Sequence, residues 1–402
     1  MKPHVNPKLG ILESSYTVKV DEFDELIDRY GGEVIRFTTG QPSIPPPKRI
    51  RTFIAEELIK DDMKLYKYPP GHGLPELREA IAEDLERLGG PKITDNEVVV
   101  VAGGQHAMFV AFSSIIEKGD EVIIMDPSYF GYPSLIEYMG GRVRRVPTLI
   151  EDGFKLDIEA IKEAIRRGST KAIVIADPDN PTGRVLSLEE AKALADLAID
   201  YGLWLIMDEA YMTLVYEGAK AWPYKYAPDN TMGLYTFSKD PGIPGWRLGY
   251  IYVREDISKK LSLLSREIIY SPPSIAQYLV LEYLRDWKER LRFIEYFKAI
   301  YKSKRDIMLK SIKNYIRHAI ISRPNGAMFI MTDLSFYIKN LRIDSISIAK
   351  MLLDKMKVAV VPGSYFGNST IYSLRFSFPG ETPNRIEEGV KRVGVFLDSI
   401  MR

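Results

Sequence analysis

Lys239 closes a strand-like run, "LYTFS", and Arg247 follows it eight residues later, with two prolines and two glycines between them. A lysine at a strand end is partly desolvated. Burial disfavours its ammonium form and lowers its pKa, and a neutral amine can attack a carbonyl to form a Schiff base. Arg247 offers a planar fork suited to phosphate. The stiff turn would hold both cations facing one spot. Taken singly, a lysine of this kind is far more often a solvated surface cation.

Other residues with chemical potential also follow apolar runs. "GGQHA" (103–107) opens a helical pattern after residues 97–102, a turn that aims backbone N–H groups at an anion and serves equally well as a plain strand–helix connection. Tyr129 lies three residues beyond Asp126 and could stack on a flat ligand. Asn180 sits in "DPDNPTG" (177–183), a sound turn signal in its own right. Asp208 and Tyr211, in "DEAY", follow "LWLIM"; a carboxylate there is costly to bury unpaired, or else it caps the next helix. A lysine imine, an acid to pair with a pyridinium nitrogen and a phosphate cup together describe a pyridoxal 5'-phosphate site.

These residues share one kind of position. Unbroken apolar runs at 97–102, 121–125, 172–176, 203–207, 234–238 and 248–253 predict strands of a sheet buried on both faces. Amphipathic helices separate them. In 187–200, Ser187 and Glu190 form a capping-box pattern, and Leu77, Ile81, Leu85 and Leu88 make a stripe that ends at Gly89–Gly90. In a parallel α/β sheet, ligands gather at the carboxyl ends of the strands. The gap from 238 to 248 is too short for a helical crossover, so the last two strands are expected to be antiparallel or to lie on different edges. The fold class is α/β. Residues 45–285 are expected to form a large domain with a mostly parallel sheet between helices. Residues 286–402, with 1–44 packed on them, form a smaller α+β domain.

Composition narrows the remaining classes. The chain has 402 residues, 46% of them hydrophobic and 27% charged, and a formal net charge of +1. Nothing in that balance calls for nucleic acid or an anionic membrane. Cysteine is absent, which excludes disulfides and thiolate chemistry, and the four histidines lie far apart without metal-ligand spacing. No signal-peptide core or membrane-length apolar run is visible, and a cytoplasmic location is expected.

From about residue 30 to 380 the sequence resembles the class I/II aminotransferases, pyridoxal-phosphate enzymes of fold-type I, which implies a seven-stranded sheet in the large domain. The pieces that carry the resemblance are "GQP" (40–42), "YPPGHGLPELREAIA" (68–82), "GGQHA", "DPSYFGY" (126–132), "DNPTG" (179–183), "DEAY", "TFSK" with "GWRLGY" (236–250), "PNGAMF" (324–329), "PGSYFG" (362–367) and "RFSFP" (375–379), in this order. The resemblance implies that Lys239 holds the cofactor and shuttles the substrate proton. It implies that Asp208 pairs with the ring nitrogen, that Asn180 and Tyr211 bond the ring's phenolic oxygen, and that Tyr129 stacks on its face. Gly103, Gly104, Gln105, Thr236 and Arg247 would cup the phosphate; Thr236 stands where the family usually has serine, and keeps the hydroxyl. Tyr68 would reach the phosphate of a neighbouring subunit, which implies a homodimer with shared sites. Arg375, helped by Gly40 and Asn180, would grip the substrate α-carboxylate. Without the resemblance, Arg375 in "SLRFSF" reads as a solvent-facing residue of an alternating strand. The Asn180–Pro181 bond is expected to be cis.

The implied activity is transfer of an amino group between an amino acid and a 2-oxo acid, with aspartate, aromatic or broad donor specificity and 2-oxoglutarate as acceptor. A lyase acting on the same Cα proton is the alternative, and a non-catalytic ligand sensor a distant one. In an aspartate-specific branch, the position of Gln105 often carries a lysine that recognises a second carboxylate; Gln105 therefore argues against strict aspartate specificity.

Overall fold

Runs of valine and isoleucine favour extended backbone because β-branched side chains pack well on a pleated surface. The computed structural model describes residues 4–60 and 62–401. In chain order its strands are β1 (Ile35–Phe37), β2 (Val98–Val101), β3 (Glu121–Asp126), β4 (Arg142–Pro147), β5 (Thr170–Ala176), β6 (Trp204–Asp208), β7 (Thr231–Thr236), β8 (Gly249–Tyr252), β9 (Ile320–Ile321), β10 (Phe329–Asp333), β11 (Val358–Pro362) and β12 (Ser373–Ser377).

Seven of them form one sheet in the order β2-β8-β7-β6-β5-β3-β4. All neighbours are parallel except β8, which runs against both β7 and β2. That reversal meets the expectation from the short 238–248 gap. It also has a consequence for the site. The residues just before β8 land at the same sheet edge as the residues just after every other strand, so Arg247 joins Lys239 there. The strand absent from the list of apolar runs is β4, "RVRRVP". It is an edge strand carrying three arginines on a partly exposed ladder, and its charge hides the strand signal.

Helix boundaries follow local chemistry. Ser187 Oγ accepts from the Glu190 N–H at 3.1 Å while Glu190 Oε2 accepts from the Ser187 N–H at 2.8 Å, a complete capping box that starts helix Leu188–Tyr201. The charged stretch from 284 onwards is interrupted at Asp286, whose carboxylate caps helix Trp287–Tyr315 by accepting from the Glu289 N–H at 3.0 Å.

The second sheet has the order β1-β11-β12-β10-β9. Its first strand comes from the N-terminal segment and pairs in parallel with β11, Phe37 opposite Val360. One apolar core, containing Phe37, Leu77, Tyr250, Phe297 and Phe376, runs under both sheets. The sheets therefore meet over packed side chains, and β12 comes to face the carboxyl edge of the large sheet.

Candidate active site

A cavity of about 320 Å³ lies where that edge meets β12. Eleven residues singled out in the sequence line it: Gly40, Gly104, Gln105, Tyr129, Asn180, Asp208, Tyr211, Thr236, Lys239, Arg247 and Arg375. The reason is topological. Each ends or follows a strand of the large sheet or precedes β8, except Gly40, which follows β1, and Arg375, which lies within β12.

Lys239 stands at the centre. Its Nζ donates to the Gly40 carbonyl at 2.7 Å and lies 5.5 Å from the centre of the Tyr211 ring. Burial, with the nearby Arg375 and Arg247 charges, pushes its pKa down to about 8, against the pull of Asp208. An amine in this condition is partly neutral near pH 8 and nucleophilic.

Asp208 is the last residue of β6. Its Oδ2 accepts from the Tyr132 hydroxyl at 2.7 Å and its Oδ1 from the Ala210 N–H at 3.2 Å. Burial raises its carboxyl above the ordinary carboxylate range. Among the described residues no cation lies within ion-pair distance of it, so the acid is set to receive a cation from elsewhere. Tyr129 packs edge-on against Tyr132 at 5.4 Å and is partly buried, and desolvation pushes its phenol up to about 12. The Tyr211 phenol is likewise raised by burial.

Arg375 sits 5% exposed in β12, with no residue of that strand facing solvent. The solvent-facing, alternating reading of "SLRFSF" fails because helices cover one face of this sheet and the large domain's edge covers the other. The guanidinium donates to Asn180 Oδ1 and to the Thr38 carbonyl, each at 2.9 Å, between the rings of Phe329 and Phe366. Its Nε has no partner, and burial lowers its pKa to about 10. A buried guanidinium without a carboxylate is a ready anion site.

At the other end, Gly103 adopts φ +84°, and a Cβ there would lie 2.8 Å from Arg247 Nη2; only glycine lets the chain pass so close to the arginine. Helix Gly104–Ile115 starts at this turn and presents its amino end to the cavity. Arg247 donates to the carbonyls of Pro244 (2.9 Å) and Ala102 (3.4 Å). The Thr236 and Ser238 hydroxyls are 2.8 Å apart. Cations, hydroxyls and a helix start at one end, a buried acid in the middle and a free amine beside it match phosphate, ring nitrogen and aldehyde of pyridoxal phosphate.

Two expectations need separate mention. Tyr68 does not line this cavity; it is 81% exposed and packs edge-on against Tyr270. The Asn180–Pro181 bond is not cis; the cis bonds are at Asp126–Pro127, Asp177–Pro178 and Asp240–Pro241. The 177–183 turn is closed instead by Asp179, which accepts from the Thr182 N–H (3.1 Å) and hydroxyl (2.5 Å), and by Gly183 at φ +72°.

Several residues around the site escaped the sequence reading. Tyr132 lies inside the "DPSYFGY" motif and Ser238 inside "TFSK", so both were within reach. Val20 and Asp24, on helix Tyr16–Arg29, line the cavity through a long-range contact that no local pattern signals.

Residues 32–393 match the model of the family "Aminotransferase class I and II". The chain belongs to this family. It is a pyridoxal-phosphate-dependent aminotransferase of fold-type I. The aspartate/prephenate aminotransferase of Thermus thermophilus is 34% identical over 96% of this chain and 97% of its own. The aspartate aminotransferase of Pyrococcus horikoshii is 33% identical over 96% and 98%. A solved structure of the Thermus thermophilus aspartate aminotransferase with maleate superposes with a TM-score of 0.91, at 32% identity, over 98% of this chain and all of that one. No helix among the described residues is long and apolar enough to cross a membrane.

Proposed function

We propose that this aminotransferase works by a two-stage transfer in which Lys239 is the central residue. The observation that carries the reading is the Lys239 amine, its pKa lowered by its surroundings, in one cavity with the Asp208 carboxylate and the Arg375 guanidinium. When bound, pyridoxal phosphate supplies an aldehyde and a ring that accepts electrons from the substrate Cα. Gly103, Gly104, Gln105, Thr236 and Arg247 would hold its phosphate. Asp208 would hold its ring nitrogen, Tyr129 would cover one ring face, and Asn180 and Tyr211 would bond its phenolic oxygen. Arg375, with Gly40 and Asn180, takes the substrate α-carboxylate and so sets the Cα–H beside Lys239. Lys239 would then take the proton from the substrate Cα as general base and hold it for delivery, as general acid, to the carbon it had bonded.

The donor range proposed is aspartate, aromatic or broad, with 2-oxoglutarate as acceptor; the names of the relatives support the aspartate part and Gln105 the breadth. The exposed Tyr68 supports a homodimer in which this residue reaches the neighbouring site. The division into units 45–285 and 1–44 with 286–402 follows the two sheets, and a cytoplasmic location is part of the same reading.

The test is spectroscopic. Single amino acids are added to the cofactor-loaded protein without any oxo acid. Bleaching of the visible band, with release of one equivalent of 2-oxo acid, is expected. An unbleached band with ammonia release would overturn transamination in favour of a lyase.

A further inference from the structure

Asp240 follows Lys239 directly in the chain and is 1% exposed. It is not among the residues that line the cavity, and the proposed reaction does not use it.

Its partners come from elements distant in sequence. Arg290, on helix Trp287–Tyr315, donates from Nη1 to Asp240 Oδ2 at 3.0 Å. The Tyr283 hydroxyl, on helix Ser274–Arg285, donates to Asp240 Oδ1 at 2.5 Å. Tyr235, in β7, donates its hydroxyl to the Asp240 carbonyl at 3.3 Å. The rest of the Arg290 fork is filled by Asp84 on helix Pro75–Arg87. There Nη2 donates to Asp84 Oδ2 at 2.7 Å and Nε donates to Oδ1. Arg290 is fully buried, and every side-chain N and O of Asp84, Asp240, Tyr283 and Arg290 has a partner. The cluster is built by one chain and lies inside it, so it is complete without a second subunit.

Stability alone does not account for these charges. A buried ion cluster often contributes no more than apolar side chains of the same volume. What it adds is direction, because each hydrogen bond has a preferred angle and a fully satisfied network is rigid. Asp240 is held through both carboxylate oxygens and its carbonyl. It shares a planar peptide bond with Lys239, so fixing one residue fixes the backbone of the other. The same helix also reaches the far end of the lysine. About three turns beyond Arg290, the Tyr301 hydroxyl accepts from the Ser43 N–H at 2.8 Å. Ser43 lies just beyond Gly40, whose carbonyl receives Lys239 Nζ. Helix Trp287–Tyr315 thus braces both the backbone of the lysine and the segment on which its amine rests.

We propose that Asp240 and Arg290 are positioning residues for Lys239, aiming its amine at the aldehyde of pyridoxal phosphate. The inference rests on the reading of Lys239 as the residue that bonds the cofactor.

The test compares two ligands of the cofactor-free protein by fluorescence titration at pH 8. Pyridoxal phosphate can bond to Lys239. Pyridoxamine phosphate has the same ring and phosphate but an amine in place of the aldehyde, so it binds without that bond. Arg290→Met would leave two buried carboxylates without their cation and unfold the protein, so the link is cut at Asp240. D240N leaves Arg290 paired with Asp84, but its amide has one acceptor where Asp240 uses two, and it cannot serve Arg290 and Tyr283 together. Affinity for pyridoxal phosphate should fall by about tenfold to a hundredfold, the effect of a reacting group misplaced by about 1 Å, while affinity for pyridoxamine phosphate stays within about threefold of wild type. Y283F keeps the ring and both charges and should shift the ratio in the same direction; it decides the matter if D240N does not fold. Y252F is the control. It removes an equally buried tyrosine donor, the one to Glu209 Oε2, and should leave the ratio unmoved. An unchanged ratio in D240N would overturn the assignment. So would an equal loss for both ligands, which marks a loosened fold, or the same shift in Y252F. A wild-type protein that gains no visible band with pyridoxal phosphate would remove the reading of Lys239 itself, a result distinct from these.

Discussion

Arg375 Nη1 donates to Asn180 Oδ1 at 2.9 Å, and this bond joins the small sheet to the carboxyl edge of the large one. The two residues are 195 positions apart. Asn180 thereby fixes the arginine's plane from one side while the Thr38 carbonyl fixes it from the other, leaving the remaining edge of the fork for an incoming carboxylate. Arg375→Lys keeps the charge but loses the planar fork. It should lower kcat/KM by about two orders of magnitude, the range measured when a buried charge pair loses one partner. The loss should appear mainly in KM. Steady-state kinetics with one donor checks this, and a kcat/KM within threefold of wild type would contradict the role.

Lys239 gives a stability prediction with a definite sign. Its pKa is lowered to about 8 in the folded protein, against an ordinary 10.5. Between these values the unfolded chain binds more protons than the folded one, so the cofactor-free protein gains stability as pH rises through that window. Below pH 8 the full cost of a buried ammonium is present. Lys239→Met should therefore stabilise the cofactor-free protein at pH 7 by about 3 kcal/mol, with the gap closing by about pH 10.5. The same variant should lose at least about 10³-fold in activity, having no amine for covalent or proton-transfer work. Thermal unfolding at several pH values tests the first claim; a gap that widens toward pH 10 refutes it.

The large sheet and its cargo of site residues were legible because both rest on local signals. Apolar runs mark β2, β3, β5, β6, β7 and β8, and ligand residues sit where those runs end. What could not be read depends on contacts distant in sequence. Nothing in "YTVKVDEFDEL" says that Asp24 meets a cavity built by residues 104–375. Nothing in "SLRFSF" says that both faces of β12 are covered. The edge strand β4 was missed for a different reason: its arginines satisfy solvent on an exposed border and mask the period of the strand. The Asn180–Pro181 turn shows a third kind of limit, since an Asp–Thr hydrogen-bonded turn and a cis turn look alike in sequence.

Lys220 lies between two fully buried acids. Its Nζ is 2.8 Å from Asp177 Oδ2 and 3.0 Å from Glu209 Oε1, and the Tyr252 hydroxyl donates to the other oxygen of Glu209 at 2.7 Å. Asp177 and Glu209 follow β5 and β6 directly, so the cluster pins the strand ends that carry Asn180 and Asp208. Lys220→Met strands two carboxylates away from water. It should cost about 3–5 kcal/mol and lower Tm by several degrees. Pairing it with Asp177→Asn removes one stranded charge and should restore part of the loss; a double variant no more stable than the single one would contradict the account.

Tyr132 supports Asp208 by a single hydroxyl. The ring is 1% exposed and packs against Phe112 and Tyr129, so Tyr132→Phe keeps the packing and deletes only the donor to Asp208 Oδ2. Two effects then act together. The carboxylate loses a stabilising hydrogen bond, which lifts its pKa further, and it becomes freer to swing away from the ring nitrogen. Both weaken the hold on a cationic ring. A net hydrogen bond to a charged group contributes about 1.5–3 kcal/mol, so affinity for pyridoxal phosphate should fall by roughly tenfold to a hundredfold. Tm of the cofactor-free protein should change far less, because without the cofactor Asp208 has no cation whose position matters. Fluorescence titration of the cofactor-free variant with pyridoxal phosphate measures the affinity directly. Equal affinity in the two proteins would mean that the Ala210 N–H alone suffices to hold Asp208 in place.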